Sequence, residues 1–140
     1  MNEARAFFGN CSIEQQYIYV FGGNHDYTML MTIEKYDTIT DTWITLYYKL
    51  PYPMANLAAV AIDKKNILIM GGMSTDQDPV ATVINLDTST AKFTKKAPMR
   101  TAKLMDGGVF LAKDCSVFVI SSNNDTKEFK SERYLVRDLL

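Results

Sequence analysis

The sequence has few of the residues on which catalysis and metal binding usually depend. Its 140 residues include one histidine, His25, and two cysteines, Cys11 and Cys115, which lie far apart and outside any CxxC or Cys/His spacing. A zinc site, a His-based metal site and a Ser/His/Asp triad therefore have too few candidate residues. Because two free thiols are typical of a reducing compartment, we expect a cytoplasmic location.

An excess of one charge and a long apolar run are also absent. Lys and Arg number 15 and Asp and Glu 16, so the formal net charge is −1. Without a basic excess, binding to nucleic acid or to an anionic membrane surface is not expected. The aliphatic run at 57–62 is far shorter than the roughly 20 residues that a membrane-spanning helix needs. The first residues also lack the basic and apolar segments of a signal peptide.

What the sequence does contain is an internal repeat. An apolar stretch that ends in two small residues occurs three times, at 17–23 (YIYVFGG), 66–72 (NILIMGG) and 116–122 (SVFVISS). Gly22, Gly71 and Ser121 hold the same place in these stretches, with spacings of 71 − 22 = 49 and 121 − 71 = 50. A second landmark keeps this period, since Tyr36 and Trp43 recur as Leu86 and Phe93, each 50 residues later. Two landmarks in step indicate a true repeat.

A third landmark lies upstream of each apolar stretch and drifts. It comprises Arg5, then Pro53-Met54-Ala55, then Pro98-Met99-Arg100. The gap from Pro53 to Gly71 is 71 − 53 = 18 residues, whereas the gap from Pro98 to Ser121 is 121 − 98 = 23. We assign this difference to a connection of variable length, because loops absorb length changes that strands do not.

Each repeat is predicted to form four short strands. In the second repeat, apolar and β-branched stretches bounded by turn formers lie at 57–62, 67–70, 81–85 and 91–94. The stretch 67–70 is apolar without alternation, so we expect both faces of its strand to be covered. A lone four-stranded sheet cannot do this, but stacked antiparallel meanders can. The sequence therefore predicts an all-β fold of stacked sheets.

These landmarks resemble the kelch repeat, in which an apolar strand ends in a double glycine and is followed by a Tyr and, about seven residues later, a Trp. The first repeat matches most fully and the third least, because Ser121-Ser122 replace the glycines. The resemblance implies kelch-type β-propeller blades. We expect a structural role for the motif residues, because such landmarks build the core between blades. They are Gly22, Gly23, Tyr36, Trp43, Gly71, Gly72, Leu86, Phe93 and Tyr134.

The period divides the chain into about three blades, at roughly 1–49, 50–96 and 97–140, the last of which lacks its fourth strand. Propellers close with at least about four blades, so we expect an incomplete or open ring. Its two end faces would be apolar, and soluble monomers rarely expose such faces. We therefore expect either a fragment of a larger propeller or self-association that covers the open faces.

Loop position separates the candidate binding end from the other end. The first and third turns of a meander emerge together, and here they are short and polar; we place 9–15, 37–41, 63–66, 87–90 and 113–114 at that end. The second turns and the links between blades emerge at the opposite end and are longer and richer in aromatics; they are 24–27, 47–52, 73–79, 95–97 and 123–130. Binding residues favour such loops, and kelch propellers that recruit partners use the same end.

Two sets of residues at that end are candidates for binding a partner. The first is Tyr47, Tyr48 and Tyr52, because tyrosine is enriched at protein interfaces; alternatively, one or two of these rings cover the edge of a blade. The second set could form an acidic rim or a weak cation site, although solvated loop acids are the commoner explanation and its spacing resembles no metal-ligand motif. It consists of His25, Asp26, Asp76 and Asp78.

The leading functional hypothesis is a non-catalytic protein–protein interaction module, such as a substrate-receptor or scaffold segment, without a cofactor or catalytic residues. The identity of its protein partner is not indicated by the sequence. The alternative is a fragment of a kelch-like propeller enzyme, an oxidase or a small-molecule isomerase. Such oxidases resemble one another in binding copper through His and Tyr, which a single histidine makes unfavourable. A purely architectural role is the third possibility.

Overall fold

Strands dominate the structure, and the only helix in the described part of the chain is a short one near its end. The computed structural model describes residues 1–76, 78–102, 104–105, 108–123 and 128–139. The all-β prediction is confirmed. The elements are β1 (Gly9–Ile13), β2 (Tyr17–Phe21), β3 (Asn24–His25), β4 (Thr28–Met29), β5 (Ile33–Asp37), β6 (Thr42–Thr45), β7 (Ala58–Ala61), β8 (Asn66–Met70), β9 (Val83–Asp87), β10 (Lys92–Lys95), β11 (Gly108–Leu111), β12 (Ser116–Asn123), β13 (Glu128–Leu135) and α1 (Val136–Leu139).

The strands form three consecutive antiparallel sheets and one small hairpin. Sheet 1 has the order β1-β2-β5-β6, sheet 2 the order β7-β8-β9-β10 and sheet 3 the order β11-β12-β13. The hairpin β3-β4 is inserted between β2 and β5. Strand β7 packs beside both β1 and β11, so the first strands of the three sheets are neighbours. The arrangement is compatible with propeller blades, and within the described residues the sheets do not close into a ring.

Strand pairing places the three repeats in one register. In each of the three sheets, the second residue of the second strand lies opposite a large side chain of the third strand. The fourth strands of sheets 1 and 2 extend these rows with Trp43 and Phe93. Residues at equal places in the repeats therefore have equal places in the sheets. The paired rows are Ile18 with Tyr36, Ile67 with Leu86, and Val117 with Tyr134.

Two local expectations are wrong. Residues 9–15 are not a turn region, because Gly9–Ile13 is the first strand of sheet 1 and pairs with β2 along its whole length. Its alternation of Cys11 and Ile13 with polar residues suits one covered and one open face. The third strand of sheet 2 begins at Val83 rather than at residue 81, because the carbonyl of Ala81 accepts a hydrogen bond from Met99 instead of from a strand neighbour.

The prediction that the third landmark drifts through a loop of variable length is also wrong. The amide of Leu50 donates to Met31 O, and the amide of Met99 donates to Ala81 O, both at 2.8 Å. Met31 and Ala81 each lie two residues before the third strand of their sheet, so Leu50 and Met99 are the corresponding residues. Their separation is 99 − 50 = 49 residues, which matches the period. No change of loop length is needed.

Sheet 2 lies between two apolar cores, as the apolar stretch at 67–70 predicts. On one face, Ile67 and Ile69 pack against sheet 1 residues that include Phe21. On the other face, Leu68 and Met70 pack against sheet 3 residues that include Val119. All four of the β8 side chains are fully buried. This double coverage removes the need for an alternating polar face.

Paired glycines end the second strands of sheets 1 and 2. Gly23 has φ 93° and Gly72 has φ 87°, and a Cβ at either place would lie 2.6 Å from the backbone oxygen of Ala6 or of Ala55. Only glycine meets both demands without strain. In sheet 3, Ser121 takes the place of a glycine, and β12 continues to Asn123. The longer third hairpin follows from this replacement.

A buried ion pair joins the N-terminal segment to β5 of sheet 1. The guanidinium of Arg5 lies 2.8 Å from Glu34 Oε1, and both side chains are fully buried. Burial would by itself raise the pKa of Glu34, but hydrogen bonds from the Asn2 amide, Arg5 and the Glu3 amide hold this pKa below its usual value. The two ions therefore satisfy one another in a place that water does not reach.

The corresponding place in sheet 2 is apolar. Ala6 bridges to Asn24 and Ala55 bridges to Met73, so Arg5 in sheet 1 corresponds to Met54 in sheet 2. Glu34 and Ile84 are each the second residue of their third strand. Met54 and Ile84 are both buried. The same backbone frame thus accepts an ion pair in one sheet and a hydrocarbon pair in the next.

Two further features bear on location. The described residues contain no helix that is long and apolar enough to cross a bilayer. Both cysteines are free, with Cys115 exposed and Cys11 partly covered by the core between sheets 1 and 2. Burial raises the pKa of the Cys11 thiol to about 12.

Candidate functional site

One end of the sheets carries the longer connections, and we call it the loop end. The hairpin β3-β4, the connection after β8 and the link 46–57 all lie here. They come together because β2 ends, β5 begins and β6 ends at one edge of sheet 1. The opposite end carries the short turns 14–16, 38–41, 62–65, 88–91 and 112–115.

The link 46–57 is firmly anchored between sheets 1 and 2. Its Leu50 amide donates to Met31 O, and its Met54 carbonyl accepts from the Gly23 amide, both at 2.8 Å. Leu50 and Met54 are fully buried. The tyrosines of the link are therefore carried by a rigid support, which lowers the entropy cost of using them in binding.

The structure separates the predicted tyrosines by exposure. Tyr47 is 87% exposed, whereas Tyr48 is half-buried and its ring packs edge-on against Phe93 at 6.1 Å. Burial, followed by the neighbouring rings of Tyr19 and Tyr47, raises the pKa of Tyr48 to about 12. Tyr48 thus helps to cover the edge of sheet 2, while Tyr47 lies at the surface with its ring 5.1 Å from that of Tyr48.

Tyr52 forms one wall of a shallow pocket of about 240 Å³ between the link and the outer strands of sheet 2. The floor is apolar and consists of Ile84 and Phe93, and Lys95 contributes the one charged side chain of the lining. Phe93 and Lys95 share a face because they are two residues apart on β10. The remaining lining residues are Pro51 and Thr82.

The segments that build this pocket are basic. Residues 46–54, 80–86 and 91–102 contain no Asp or Glu, although the whole chain has a net charge of −1. The exposed cations Lys49, Lys92 and Lys95 lie in these segments, together with Lys96 and Arg100. Lys95 lines the apolar cavity and these segments carry no carboxylate, so the cavity attracts an apolar group flanked by negative charge. We call this surface the link pocket.

His25 and Asp26 form the tip of the hairpin β3-β4. His25 Nε2 lies 3.5 Å from Asp26 Oδ2, and Asp26 is 93% exposed. The other two members of the predicted acidic set, Asp76 and Asp78, are also exposed. Within the described residues, no three His, Cys, Asp or Glu side chains lie close enough together to hold a metal ion. The structure therefore places these residues on separate, solvated loops.

Two exposed aromatic residues at the loop end escaped the sequence prediction. Tyr27 is fully exposed at the hairpin tip, where Asp26 and Tyr27 have φ values of 45° and 64°. Phe7, just before β1, is 63% exposed and has φ 55°. Positive φ is uncommon for residues other than glycine, and neither segment carries the Asn-Gly or Gly signal of a tight turn. Only the exposure seen in the structure distinguishes them.

Most of the motif residues lie within the sheets, and Phe93 also lines the link pocket. The rings of Tyr36 and Trp43, on β5 and β6 of sheet 1, pack with their centres 5.0 Å apart and their planes tilted by 34°. Leu86 is fully buried, and Phe93 packs against the same core. Tyr134 packs against the core between sheets 2 and 3, and its hydroxyl accepts from the Arg100 amide at 2.9 Å. No protein-family model matches the chain, and no curated protein matches it either.

Proposed function

We propose that this chain is a non-catalytic protein-interaction module built from kelch-type propeller blades. Three consecutive antiparallel sheets with one register, and double glycines after two of the second strands, support the blade assignment. Two free thiols fit a reducing compartment such as the cytoplasm. The sheets act as a rigid frame, and binding falls to side chains carried on the link and loops.

The link pocket carries the proposal. Its apolar floor has room for one side chain, Tyr52 forms a wall, and the ammonium group of Lys95 would pair with a carboxylate of the ligand. Tyr47, exposed on the same link, adds a flat amphipathic surface. The partner that fits is a peptide segment with one large apolar residue flanked by Asp or Glu. Neutral or basic flanks would lose the attraction of Lys95.

A direct test uses fluorescent peptides that share one apolar anchor and differ only in flanking charge. By anisotropy, the acid-flanked peptide is expected to bind with a Kd of about 10–100 µM, and the lysine-flanked peptide at least about tenfold more weakly. Lys95→Glu should remove this preference. Lys113→Glu, an exposed lysine at the opposite end, is the matched control and should leave binding unchanged.

Tyr52→Ala and Tyr47→Ala separate the pocket wall from the exposed ring. Tyr52→Ala removes a wall of the pocket and should weaken binding of the acid-flanked peptide by at least about tenfold, since buried aromatic contacts dominate binding energy. Equal binding of all peptides to the wild type, or equal losses from Lys95→Glu and Lys113→Glu, would refute the proposed partner chemistry.

A further inference from the structure

The chain packs sheet on sheet twice, sheet 1 against sheet 2 and sheet 2 against sheet 3. The outer faces of sheets 1 and 3 correspond to the two different sides of such a contact. We call the face of each sheet that points toward the preceding sheet its leading face, and the opposite one its trailing face. The leading face of sheet 2, with Ile67 and Leu86, packs on sheet 1. The leading face of sheet 3, with Val117 and Tyr134, packs on the trailing face of sheet 2. Within the chain, leading faces meet trailing faces.

In the part of the chain that the structure describes, no sheet packs on the leading face of sheet 1, although residues 2, 3 and 5 bind Glu34 there. Ile18 and Tyr36 correspond to Ile67 and Leu86 by register. Ile67 and Leu86 are fully buried, whereas Ile18, Tyr36 and Trp43 are only partly covered. The ring pair Tyr36–Trp43 occupies the part of this face formed by β5 and β6.

Among the described residues, no sheet packs on the trailing face of sheet 3 either. Its residues Phe110 and Phe118 stack at 6.0 Å, and Phe110 is 49% exposed. They occupy the places of Val60 and Leu68 in sheet 2, which are buried beneath sheet 3. Arg133 lies over the Phe118 ring at 5.9 Å.

The composition of these two faces favours a protein occupant. The trailing face of sheet 1, which sheet 2 covers, carries the ring pair Tyr19–Phe21, and the two open faces likewise carry aromatic pairs together with Arg133. Aromatic residues and arginine are the types enriched where separate protein surfaces meet.

Charge is complementary as well. On the leading face, the Tyr36 hydroxyl donates to the carboxylate of Asp41 in the turn 38–41. On the trailing face of sheet 3, Arg133 corresponds to Lys35 of sheet 1. Arg133 lies opposite Phe118 on β12, and Lys35 lies opposite Tyr19, which has the same place on β2. Between sheets 1 and 2, Tyr19, the residue opposite Lys35, packs in the same core as Leu86, which lies two residues before the corresponding turn 88–91. The same packing would bring Arg133 to the turn that contains Asp41.

From this repetition we propose that two copies of the chain associate head to tail. The trailing face of sheet 3 in one copy packs on the leading face of sheet 1 in the other, and the reverse contact closes the pair. Each contact continues the packing of sheet on sheet that holds the chain itself together. Phe110, Phe118 and Arg133 are the central residues of one half, and Ile18, Tyr36 and Trp43 are those of the other.

The mass in solution is the first measurement. Light scattering at about 100 µM protein should give twice the chain mass of 15.8 kDa. Phe110→Glu and Trp43→Glu should each weaken association by at least about tenfold. Ile44→Glu is the matched control, because Ile44 lies beside Trp43 on β6, is 46% exposed and belongs to the other face. A wild-type monomer, or equal loss from Ile44→Glu, would overturn the proposal.

Mixing the two variants tests the head-to-tail arrangement itself. The Phe110→Glu copy keeps its leading face and the only tryptophan, Trp43, whereas the Trp43→Glu copy keeps its trailing face and has no tryptophan. Adding the second to the first should shift the Trp43 emission to the blue as the ring becomes covered. A Trp43→Glu/Phe110→Glu partner should give no shift. Dimers formed by either single variant alone would show like faces pairing and would refute the arrangement.

Folding of each variant is checked by circular dichroism. If Phe110→Glu fails to fold, Arg133→Glu replaces it, because Arg133 is 54% exposed and its described polar partners are Asp114 and Ser116 at the surface. The reversed charge would then face Asp41 of the second copy, and the same loss of dimer is expected. A dimer unchanged by Arg133→Glu would contradict the proposed contact.

Discussion

Replacing Arg5 by Met and Glu34 by Ile, singly and together, tests how sheet 1 tolerates its buried ions. The double variant reproduces the pair Met54–Ile84 that sheet 2 carries at the same place. Arg5→Met leaves the buried carboxylate with only two amide donors, those of residues 2 and 3. Glu34→Ile leaves the buried guanidinium with Glu3, 3.0 Å away, as its remaining ionic partner.

The expected losses follow from the burial of both side chains. Removing one partner of a buried pair costs about 3–5 kcal/mol of unfolding free energy, because the other ion stays dry and uncompensated. We expect Glu34→Ile at the lower end of this range, since Glu3 remains. Replacing both ions with hydrocarbon is often neutral; here Gly22 O loses a donor at 2.8 Å, so the double variant should lose about 1–2 kcal/mol.

Urea unfolding followed by the fluorescence of Trp43 in sheet 1 gives all four free energies. The coupling between the two substitutions should exceed about 3 kcal/mol, far above the few tenths expected for independent sites. Losses that simply add would refute the reasoning. The acid dependence supplies a second check: the pKa of Glu34 is held below its ordinary value, so its stabilisation is present above that value and is lost as pH falls through the depressed pKa. In Arg5→Met, this loss should begin at higher pH.

Three further outcomes are expected. Gly23→Ala should lower unfolding free energy by more than about 2 kcal/mol, because φ is 93° and the new Cβ meets a backbone oxygen; Gly108→Ala, with φ 109° and open space around it, should cost about 1 kcal/mol in the same urea assay. At pH 8, a thiol reagent should modify exposed Cys115 quickly and Cys11 only after unfolding, since burial raises the Cys11 pKa to about 12; equal rates would contradict this. Tyr48→Phe should remove one late-ionising phenol from the alkaline absorbance titration, because the Tyr48 pKa is about 12. Since the folded-state pKa lies above the ordinary tyrosine pKa of 10.0, stability falls as pH rises from 10.0 toward 12. An unchanged high-pH step would show that Tyr48 ionises normally.

The sequence predicts most of the sheet architecture because strand periodicity and repeat spacing are local signals. The apolar run 67–70 correctly predicts a strand covered on both faces. The strand Gly9–Ile13 was missed because Asn10 and Ser12 resemble a turn, although their alternation with Cys11 and Ile13 carries the period of a half-covered strand. Composition outweighed periodicity at this place.

Features that depend on distant contacts could not be predicted. Arg5 and Glu34 are 29 residues apart and meet only when the N-terminal segment crosses sheet 1. The correspondence of Leu50 with Met99 rests on backbone hydrogen bonds, which leave no mark on side-chain type. At the candidate site, Tyr52 was predicted from composition, but Ile84 and Lys95 join it only through the fold.

The burial of sheet 2 on both faces also distributes cooperativity unevenly through the chain. Amides of β8 lie beneath side chains from two neighbouring sheets, so their exchange with solvent hydrogen requires both interfaces to open. Amides of β6, at the outer edge of sheet 1, can exchange through local fraying. The middle of the stack therefore unfolds last and depends on both neighbours, whereas each outer sheet depends on only one.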